Sequence, residues 1–223
     1  LGNGDGTFQP QVVVPVGNKP AAVESGHING DAFEDLAVAN VNSNTVSILL
    51  GNGDGTFSQL TPSVPVGSQP ISLTIGHFNA DAFEDLAVAN AGSGTVSILL
   101  GNGDGTFQSQ LISSVGIVPR KVAIGRFNSD AFEDLAVAND LSDDVSILLG
   151  NGDGTLQPQV VFPVGDRPYA VAIGRFNGDA FEDLAVANDN SNFVSILLGN
   201  GDGTFQPQLT FPTFGGVAVA VGN

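Results

Sequence analysis

The sequence predicts an all-β fold made of a repeated four-stranded unit, and three observations support this prediction. First, the string Leu-Gly-Asn-Gly-Asp-Gly-Thr recurs every 49 or 50 residues, beginning at Leu1, Leu50, Leu100, Leu149 and Leu198. Second, each repeat contains four apolar stretches of strand length, which in the second copy are 57–66, 71–78, 84–90 and 95–100. Third, Asn-Gly-Asp-Gly supplies the glycines that a tight β-hairpin needs at positive φ. Four strands in a repeat of about 40–50 residues are typical of one antiparallel blade of a β-propeller.

The elements of one repeat carry their own signals. A proline, such as Pro70, stands just before the first strand of a blade, where its missing N–H costs little. The segment Thr95–Leu100 begins with alternating residue types, so that Val96, Ile98 and Leu100 share one face of a strand. Strand length and β-branched residues support the same interpretation for the other stretches.

One segment of each repeat allows a second interpretation. Asp31-Ala32-Phe33-Glu34 has the form of a helix N-terminus, with Asp31 as N-cap and Glu34 three residues later. A helix there would give a mixed β/α solenoid. The Leu-Ala-Val-Ala-Asn that follows is short and leads into turn-forming residues, which favours a strand. On pattern alone both interpretations stay open.

The composition excludes several classes of protein. The 223 residues include 23 acidic and 6 basic side chains, giving a formal net charge of -17, and there is no Cys, Met or Trp. A surface this anionic repels phosphates and anionic lipids, so we expect no nucleic-acid partner. Without Cys there is no disulfide, thiolate zinc site or iron–sulfur cluster. Apolar runs such as Val217–Val221 are far shorter than the roughly 18–20 residues of a membrane span, so we expect no membrane insertion.

The negative charge is concentrated in two repeated strings. Asn-Gly-Asp-Gly-Thr occurs five times with one Asp each, and Asp-Ala-Phe-Glu-Asp occurs four times with three acids each. Together they hold 17 of the 23 acids, and the remaining 6 are balanced by the 6 basic residues. The net charge therefore belongs to these strings rather than to the chain as a whole.

These strings also carry a resemblance. Phe83–Asn90, Phe-Glu-Asp-Leu-Ala-Val-Ala-Asn, and Val96–Phe107, Val-Ser-Ile-Leu-Leu-Gly-Asn-Gly-Asp-Gly-Thr-Phe, resemble the FG-GAP/VCBS-type repeat, a family similar to the β-propeller of integrin α subunits. The resemblance extends over essentially the whole chain. It implies that the Asp-rich loop joins the first and second strands of a blade and often holds calcium. It also favours the strand over the helix for Leu-Ala-Val-Ala-Asn.

The resemblance sets the register of the blades. We expect one repeat domain, 1–223, with a leftover fourth strand at 8–16, a leftover first strand at 217–222, and blades at about 20–67, 70–116, 119–165 and 168–214. A five-bladed ring would need two further strands. Either the chain is a window on a longer repeat protein, or copies of it meet through their end strands, and both remain open.

The Asp-rich loop has most of the spacing of a calcium site. A loop of the Asp-x-Asp-x-Asp-Gly-x-x-Asp kind supplies oxygens from alternate positions, with a backbone carbonyl at position 7. In the first copy, Asn29, Asp31, the Phe33 carbonyl and Asp35 match positions 3, 5, 7 and 9. The expected calcium ligands in the four copies are Asn29, Asp31, Phe33, Asp35, Asn79, Asp81, Phe83, Asp85, Asn128, Asp130, Phe132, Asp134, Asn177, Asp179, Phe181 and Asp183.

Two positions depart from the calcium pattern. Position 1 should be Asp but is His27, His77, Arg126 or Arg175 in the four copies. Arginine carries a permanent charge and no acceptor, so it cannot bind the ion. Position 6 should be Gly but is Ala in every full copy, which costs on the order of 1 kcal/mol if the sharp turn is kept. We expect weak calcium binding in the His27 and His77 loops and weaker or no binding in the Arg126 and Arg175 loops. An acidic turn held by Asx hydrogen bonds is the alternative.

Three further expectations concern the same strings. Arg126 is expected to pair with Asp130 and Asp134, and Arg175 with the matching pair of its own loop. Glu34 and its equivalents lie between two ligand positions and are expected to point toward solvent. The Asn-Gly-Asp-Gly hairpins are expected to serve turn formation alone.

The sequence does not favour an enzyme. Only His27 and His77 could act as general bases near neutral pH, and both occupy the same loop position. Asp31 and Asp35 could imitate the carboxylate pair of a glycosidase. The pair recurs in every full copy, however, which suits a repeated structural device better than one active site.

The resemblance implies a non-catalytic, extracellular or cell-surface scaffold for recognition, adhesion or assembly, with a protein or glycan ligand or further copies of itself as partner. Two alternatives remain: a lectin-like propeller, although Tyr169 is the only Tyr, and a structural module of a head-to-tail fibre or stalk. A specific ligand would be sought in the strand after each Asn-Gly-Asp-Gly and in the loops that differ most between copies. Those loops are Val41–Asn44, Ala91–Gly94, Asp140–Asp144 and Asp189–Phe193.

Overall fold

The apolar stretches of every repeat form strands, as predicted. The computed structural model describes residues 2–213 and 218–221, which contain 17 strands and no helix. The first blade contains β1 (Pro20–Gly26), β2 (Asp35–Asn40), β3 (Thr45–Gly51), β4 (Phe57–Gln59) and β5 (Val64–Pro65). The second contains β6 (Pro70–Gly76), β7 (Asp85–Asn90), β8 (Thr95–Leu99) and β9 (Leu111–Ser114). The third contains β10 (Pro119–Gly125), β11 (Asp134–Asn139), β12 (Asp144–Leu148) and β13 (Val160–Pro163). The fourth contains β14 (Pro168–Gly174), β15 (Asp183–Asn188), β16 (Phe193–Leu197) and β17 (Leu209–Pro212).

Each blade is an antiparallel sheet whose strands pair in chain order, and the outermost strand of the first blade is divided into β4 and β5. The all-β fold with four-stranded antiparallel blades is therefore confirmed. The helical alternative is wrong, because Asp31–Glu34 lies in a loop and Leu-Ala-Val-Ala-Asn pairs on both sides as β2.

The core lies between successive blades. Small and branched side chains of the first blade, such as Ala37 and Val46, form one buried cluster with Leu73 and Leu86 of the second. Two equivalent clusters join the second blade to the third and the third to the fourth. Alanines on the second strand of each blade let neighbouring sheets approach closely. Val23, the equivalent of Leu73, is 56% exposed, whereas Leu73 is 0% exposed, because no blade among the described residues covers that side of the first blade.

The alternation predicted for β8 is also confirmed. Val96, Ile98 and Leu100 are all buried in the cluster between the second and third blades. Their shared face follows from the two-residue period of a strand.

The leftover strand expected at 8–16 does not form. Phe8 makes only an isolated bridge to Gly2, and residues 9–16 are in no strand. In the second blade the equivalent segment, Leu111–Ser114, pairs with the third strand Thr95–Leu99, whereas no described strand precedes residue 8. The segment still lies beside the first blade, because Gln9–Val12 and Val14 line a cavity together with Leu36 and Leu49.

The leftover strand expected at 217–222 falls partly outside the described residues, which exclude Val217 and Gly222, and residues 218–221 are in no strand. Val221 Cγ1 lies 3.2 Å from the point where a Cβ on Gly174 would be. Ile124 makes the equivalent contact with Gly76, at 2.5 Å. Val221 is therefore placed like a residue of a further first strand.

The antiparallel order gives the molecule two distinct faces. One face, here the acidic face, carries the loops between first and second strands and the hairpins after the third strands. These segments are 27–34, 77–84, 126–133, 175–182, 52–55, 102–105, 151–154 and 200–203. The opposite face, here the variable face, carries the turns between second and third strands and the connections between blades. These segments are 41–44, 91–94, 140–143, 189–192, 66–69, 115–118 and 164–167.

Candidate functional site

The predicted ligands of each Asp-rich loop lie together on the acidic face, but they bond to one another. In the first loop Asp31 N donates to Asn29 Oδ1 at 3.0 Å, and the Asn29 amide donates to Asp31 Oδ2 at 2.7 Å. Phe33 N donates to Asp31 Oδ1 at 2.7 Å. The same three bonds recur in the other three loops. Asx hydrogen bonds therefore close each loop.

The last carboxylate of each loop is buried and ties the loop to the third strand. Asp35 is 0% exposed, its Oδ2 accepts from Asn29 N at 3.1 Å, and its Oδ1 accepts from Gly51 N at 2.9 Å. In the other blades the equivalent carboxylates each accept from one Phe N–H and one Gly N–H at 2.7–2.9 Å, and they belong to Asp85, Asp134 and Asp183. Satisfying two buried backbone donors is a structural role.

The electrostatics of this buried position oppose the charged form. Burial raises the pKa of Asp85 and Asp134 above the usual value of 3.8, outweighing the hydrogen bonds from backbone N–H groups. The nearby charges of Asp81 and Asp130 raise the same pKa values further. A bound cation would offset that repulsion.

Calcium nevertheless fits these loops only in part. The ion takes six to eight oxygens. The described residues hold no group of three or more His, Cys, Asp or Glu side chains arranged for a metal. In the first loop Asn29 turns its amide nitrogen, which cannot bind the ion, toward Asp31. Asp31, Asp35 and the Phe33 carbonyl are the remaining oxygen donors. Calcium binding at these loops therefore stays a prediction.

The glutamate of each loop does not point to solvent where a blade precedes it. Glu133 Oε2 accepts from His77 N at 2.7 Å, and Glu182 Oε2 accepts from Arg126 N at 2.6 Å. Each bond joins the loop of one blade to the end of the first strand in the blade before. Glu84 also lies against Gly26 of the preceding blade, but its buried Oε2 has no hydrogen-bond partner among the described residues. Glu34 is exposed, because no described blade precedes it. The expectation of a solvent-facing glutamate is therefore wrong for all but Glu34, because the neighbouring blade lies against the other three side chains.

The expected ion pairs of the two arginine loops are not formed. Within the described part of the chain, the salt bridges within 4.0 Å involve Arg120 and Arg167, not Arg126 or Arg175. The Arg126 backbone is engaged by Glu182 instead. Position 1 of the loop thus contributes its N–H rather than its side chain.

The Asn-Gly-Asp-Gly hairpins behave as turns. Asp54 Oδ1 accepts from Thr56 N at 2.9 Å and from Thr56 Oγ1 at 2.6 Å, and these two hydrogen bonds, the side-chain one first, lower the pKa of Asp54. Gly53 has φ +75° and supports the Phe33 ring, so a side chain there would be strained and would clash. The other three hairpins after third strands repeat this arrangement.

The hairpins also fasten one blade to the next. Gly154 N of the third blade donates to Phe78 O of the second at 2.8 Å, and Gly203 N of the fourth donates to Phe127 O of the third at 2.8 Å. Together with the glutamate contacts, these bonds make the acidic face a set of repeated inter-blade connections.

The variable face contains a feature that the sequence did not predict. A cavity of about 500 Å³, here the axial cavity, is lined by residues of all four blades. They are Lys19, Ala21, Val41, Gln69, Ile71, Ala91, Val118, Arg120 and Tyr169. The first strands of the blades therefore converge on one opening, as the centre of a propeller requires.

A β-bulge in each first strand supplies one residue to this cavity. Pairing shifts immediately after the first proline of every blade, as between Pro20 and Ala22. The residue left out of the ladder is Ala21, Ile71, Arg120 or Tyr169. Bulges aim side chains away from the regular alternation and often occur beside functional sites.

The third and fourth blades make one side of the cavity polar. Asp140 is only 1% exposed and accepts from Arg120 Nε at 2.7 Å through Oδ2 and from Arg167 Nε at 2.9 Å through Oδ1. Burial by itself raises the pKa of Asp140, but the two arginines lower it more, so the net pKa is below 3.8. The Arg120 guanidinium lies over the Tyr169 ring, 5.4 Å from its centroid. Blades one and two contribute the apolar Ala21, Val41, Ile71 and Ala91 instead.

The backbone around the cavity is strained at four equivalent positions. Lys19, Gln69, Val118 and Arg167, each directly before the first proline of a blade, have φ of 54–58°. Positive φ is uncommon for any non-glycine residue and an outlier for a branched one. Their carbonyls accept from the first residue of the following variable turn, for example Val41 N to Lys19 O at 2.9 Å. These tertiary bonds hold the unusual conformation.

One sequence signal could have located the axial cavity. The bulge positions carry Ala, Ile, Arg and Tyr, whereas the second strand, Asp-Leu-Ala-Val-Ala-Asn, is identical in all four blades. The loops that differ most lie on the same face, around the same opening. Variation in a near-identical repeat thus marks this face.

Comparison with solved structures supports the propeller fold. A protein from Bacteroides uniformis with a proposed 6-phosphogluconolactonase activity is 17% identical to this chain, with a TM-score of 0.71. The match covers 96% of this chain and 64% of that chain. BBS1N, crystallised with ARL6DN, is 17% identical with a TM-score of 0.60, and the match covers 89% of this chain and 57% of that chain. An Agrocybe aegerita lectin that recognises non-reducing terminal N-acetylglucosamine is 17% identical, with a TM-score of 0.57. The match covers 85% of this chain and 51% of that chain. Such identities show the fold alone, and the chain spans about half to two thirds of these structures.

At the sequence level, no curated protein matches the chain. The FG-GAP-like repeat matches three overlapping segments, 27–88, 77–137 and 126–186. They cover more than half of the 223 residues and include all four Asp-rich loops in full. The repeat period, the blades and this match agree: the chain belongs to the FG-GAP-like repeat family.

Proposed function

We propose that this chain is a non-catalytic propeller scaffold that acts outside the cell or at the cell surface, in recognition or adhesion. Its variable face would contact a protein or glycan ligand. One observation carries the proposal: the turns that differ most between repeats and the four bulge residues lie on one face, where the bulge residues line the axial cavity, whereas every Asp-rich loop of the opposite face is closed by the same Asx bonds. A repeated face suits architecture, and a varied face suits specific contact.

The chemistry of the two faces agrees with a non-catalytic role. His27 and His77 lie on the acidic face in separate blades, away from the axial cavity. Asp31 and Asp35, the candidate carboxylate pair, accept backbone N–H bonds. None of these candidate bases lines the axial cavity.

Two structural neighbours support the choice of ligand class. BBS1N was crystallised with a protein, ARL6DN, and the Agrocybe aegerita lectin recognises a terminal sugar. Proteins of this fold thus present surfaces to both classes. The described part of the chain contains no helix able to cross a membrane.

Assembly through further copies is a second candidate, favoured by the uncovered side of the first blade. Val23 is 56% exposed at a position that is buried in every later blade. Another copy could cover it by blade-to-blade packing. Light scattering tests this candidate: a larger species that Val23→Asp dissociates would support it, and a monomer at all concentrations would overturn it.

Calcium enters the proposal as a ranking of loops. We infer that the loops with His27 and His77 bind it more tightly than those with Arg126 and Arg175, because a guanidinium at position 1 repels the ion. Isothermal titration with the chain and with Arg126→Asp tests the ranking. A variant that gains no affinity would contradict it.

A glycan array and a panel of extracellular matrix proteins test the main proposal. Leu141→Ser changes an exposed residue of a variable turn, and Asp104→Asn is the matched change on the acidic face. We expect a ligand whose binding falls about tenfold with Leu141→Ser and is unchanged with Asp104→Asn. The reverse pattern would refute the assignment of the faces. Mass spectrometry showing a chemically altered ligand would refute the non-catalytic role.

A further inference from the structure

We propose that the axial cavity binds a hexuronate, an acidic sugar, with the sugar carboxylate between Lys19 and Arg120 and the ring against Tyr169. The inference rests on the proposed function and names a ligand class for the variable face. It comes from the cavity itself, since none of its lining positions belongs to the Asp-rich loops.

The charge that faces the cavity is positive on a chain that is strongly acidic. The lining residues include Lys19 and Arg120 and no acid. Asp140 and Asp189 occupy the positions of Val41 and Ala91, but they turn toward arginines instead. An anionic group in the cavity therefore meets cations first.

Arg120 is held in place and still has capacity to donate. Its Nε and Nη2 both approach Asp140 Oδ2, at 2.7 and 2.6 Å. Its Nη1 has no hydrogen-bond partner among the described residues. Asp140 also serves Arg167, so one carboxylate is shared between two guanidinium groups. A ligand carboxylate would add a second charged partner to a guanidinium whose orientation is already fixed.

Lys19 offers the second cation. It lies at the rim, is exposed, and forms no ion pair with the described residues. Its backbone is fixed by the bond from Val41 N, although its φ is 58°. The lysine side chain can therefore extend toward a ligand from a fixed backbone position.

Tyr169 provides the surface for a ring. It is 40% exposed, its position is set by the contact with Arg120, and Ile71 and Ala21 lie on other walls of the same cavity. The C–H face of a pyranose ring is apolar enough to pack on an aromatic side chain, while its hydroxyls can bond to Gln69 and Arg120. A volume of about 500 Å³ is in the range of small-molecule sites.

The acidic face does not cancel this attraction. The first strands are seven residues long, which corresponds to roughly 20 Å between the two faces. The Debye length at physiological ionic strength is about 8 Å. Charges of the Asp-rich loops are therefore strongly screened at the axial cavity.

The fluorescence of Tyr169 is a direct probe, because the chain has one Tyr and no Trp. Methyl glucuronide is titrated into the chain, with methyl glucoside as the neutral match. We expect a saturable change for the glucuronide, at least about tenfold tighter than for the glucoside and weakened by salt. Lys19→Asn, which suits positive φ, should weaken binding about tenfold, whereas Lys121→Asn, on the same strand as Arg120 but outside the cavity lining, should not.

Three outcomes would overturn the inference: no saturable change with the glucuronide, equal affinity for the glucoside, or equal loss with Lys121→Asn. Circular dichroism of each variant identifies a folding defect. The titration is then repeated with the Tyr169→Phe variant and followed by NMR instead of tyrosine fluorescence. Failure here is distinct from failure of the proposed function. Array binding that Leu141→Ser abolishes and Lys19→Asn spares would retain the scaffold and reject the hexuronate. Glucuronide binding, with no other ligand bound on the glycan array, would retain the hexuronate and reject the scaffold proposal.

Discussion

Replacing Asp134 with Ala is expected to lower the free energy of unfolding by about 3 kcal/mol. The Asp134 carboxylate is fully buried and accepts from Phe127 N at 2.7 Å and Gly150 N at 2.9 Å. Alanine would leave two buried N–H groups without a partner, at about 1–3 kcal/mol each. Removing a carboxylate whose burial is unfavourable returns part of this, since burial raises the pKa of Asp134. The remaining loss is a large fraction of a typical stability of about 5–15 kcal/mol.

Urea unfolding followed by far-UV circular dichroism, in EDTA, measures this loss. Asp153→Ala is the matched control, because Asp153 is an exposed hairpin residue whose side-chain hydrogen bonds are local to its own turn. We expect the control to change stability little. If Asp134→Ala were no more destabilising than Asp153→Ala, the buried carboxylate would not be the connection that the geometry indicates. A loss seen in calcium but absent in EDTA would show that the residue acts through a metal.

The same residue predicts a pH dependence. Because burial raises the folded-state pKa of Asp134 above 3.8, the stability linked to protonation of this group is full below about pH 3.8 and is lost as pH rises through the folded pKa. Asp134→Asn should remove this part of the pH profile. Asp130→Asn should instead shift the titration of Asp134 to lower pH, because the Asp130 charge is one of the causes of the raised pKa. Carbon-13 NMR of the carboxyl groups measures the shift, and an unchanged or higher pKa would contradict the argument.

Three further predictions use matched pairs or pH in the same unfolding assay. Glu182→Ala should cost about 1–2 kcal/mol, because Glu182 accepts from a backbone N–H of the preceding blade, whereas Glu34→Ala at the exposed equivalent should cost little. Gly201→Ala should cost about 3 kcal/mol, since Gly201 has φ +76° and contacts an aromatic ring, whereas Gly178→Ala has open space and should be near neutral. Asp140→Asn should cost about 2 kcal/mol at neutral pH, and the difference from the parent chain should vanish as pH falls through the lowered pKa of Asp140.

Local sequence was sufficient to predict the strands and their antiparallel pairing. The alternation around Val96 and Ile98 identifies a strand because side chains on one face of a sheet must be buried together. The hairpin glycines were predictable for the same local reason, since Gly53 and its equivalents need positive φ. The segment at 8–16 failed as a strand because strand formation also needs a paired neighbour, which the residue pattern does not supply.

The features beyond local sequence depend on contacts between blades or across a blade. Glu133 was expected to face solvent, yet its partner is a backbone N–H more than fifty residues away in the preceding blade. The positive φ of Val118 has no signal in its residue type, because a branched side chain disfavours that conformation. It is imposed by the bond from Asp140 N, across the blade, to Val118 O at 3.0 Å. No single-position preference could indicate either feature.

The position of the bulge explains how one repeat supports a varied face. In all four blades the first proline pairs with the asparagine that ends the second strand, and pairing resumes two residues later. The residue between them is outside the ladder, so its side chain can change from Ala21 to Tyr169 while the register stays the same. The inter-blade bonds of the acidic face are unaffected by such a change, because they lie at the other end of the strands. Substitution at the axial cavity therefore alters what the propeller can contact without altering how its blades are joined, which is the physical reason to seek specificity there.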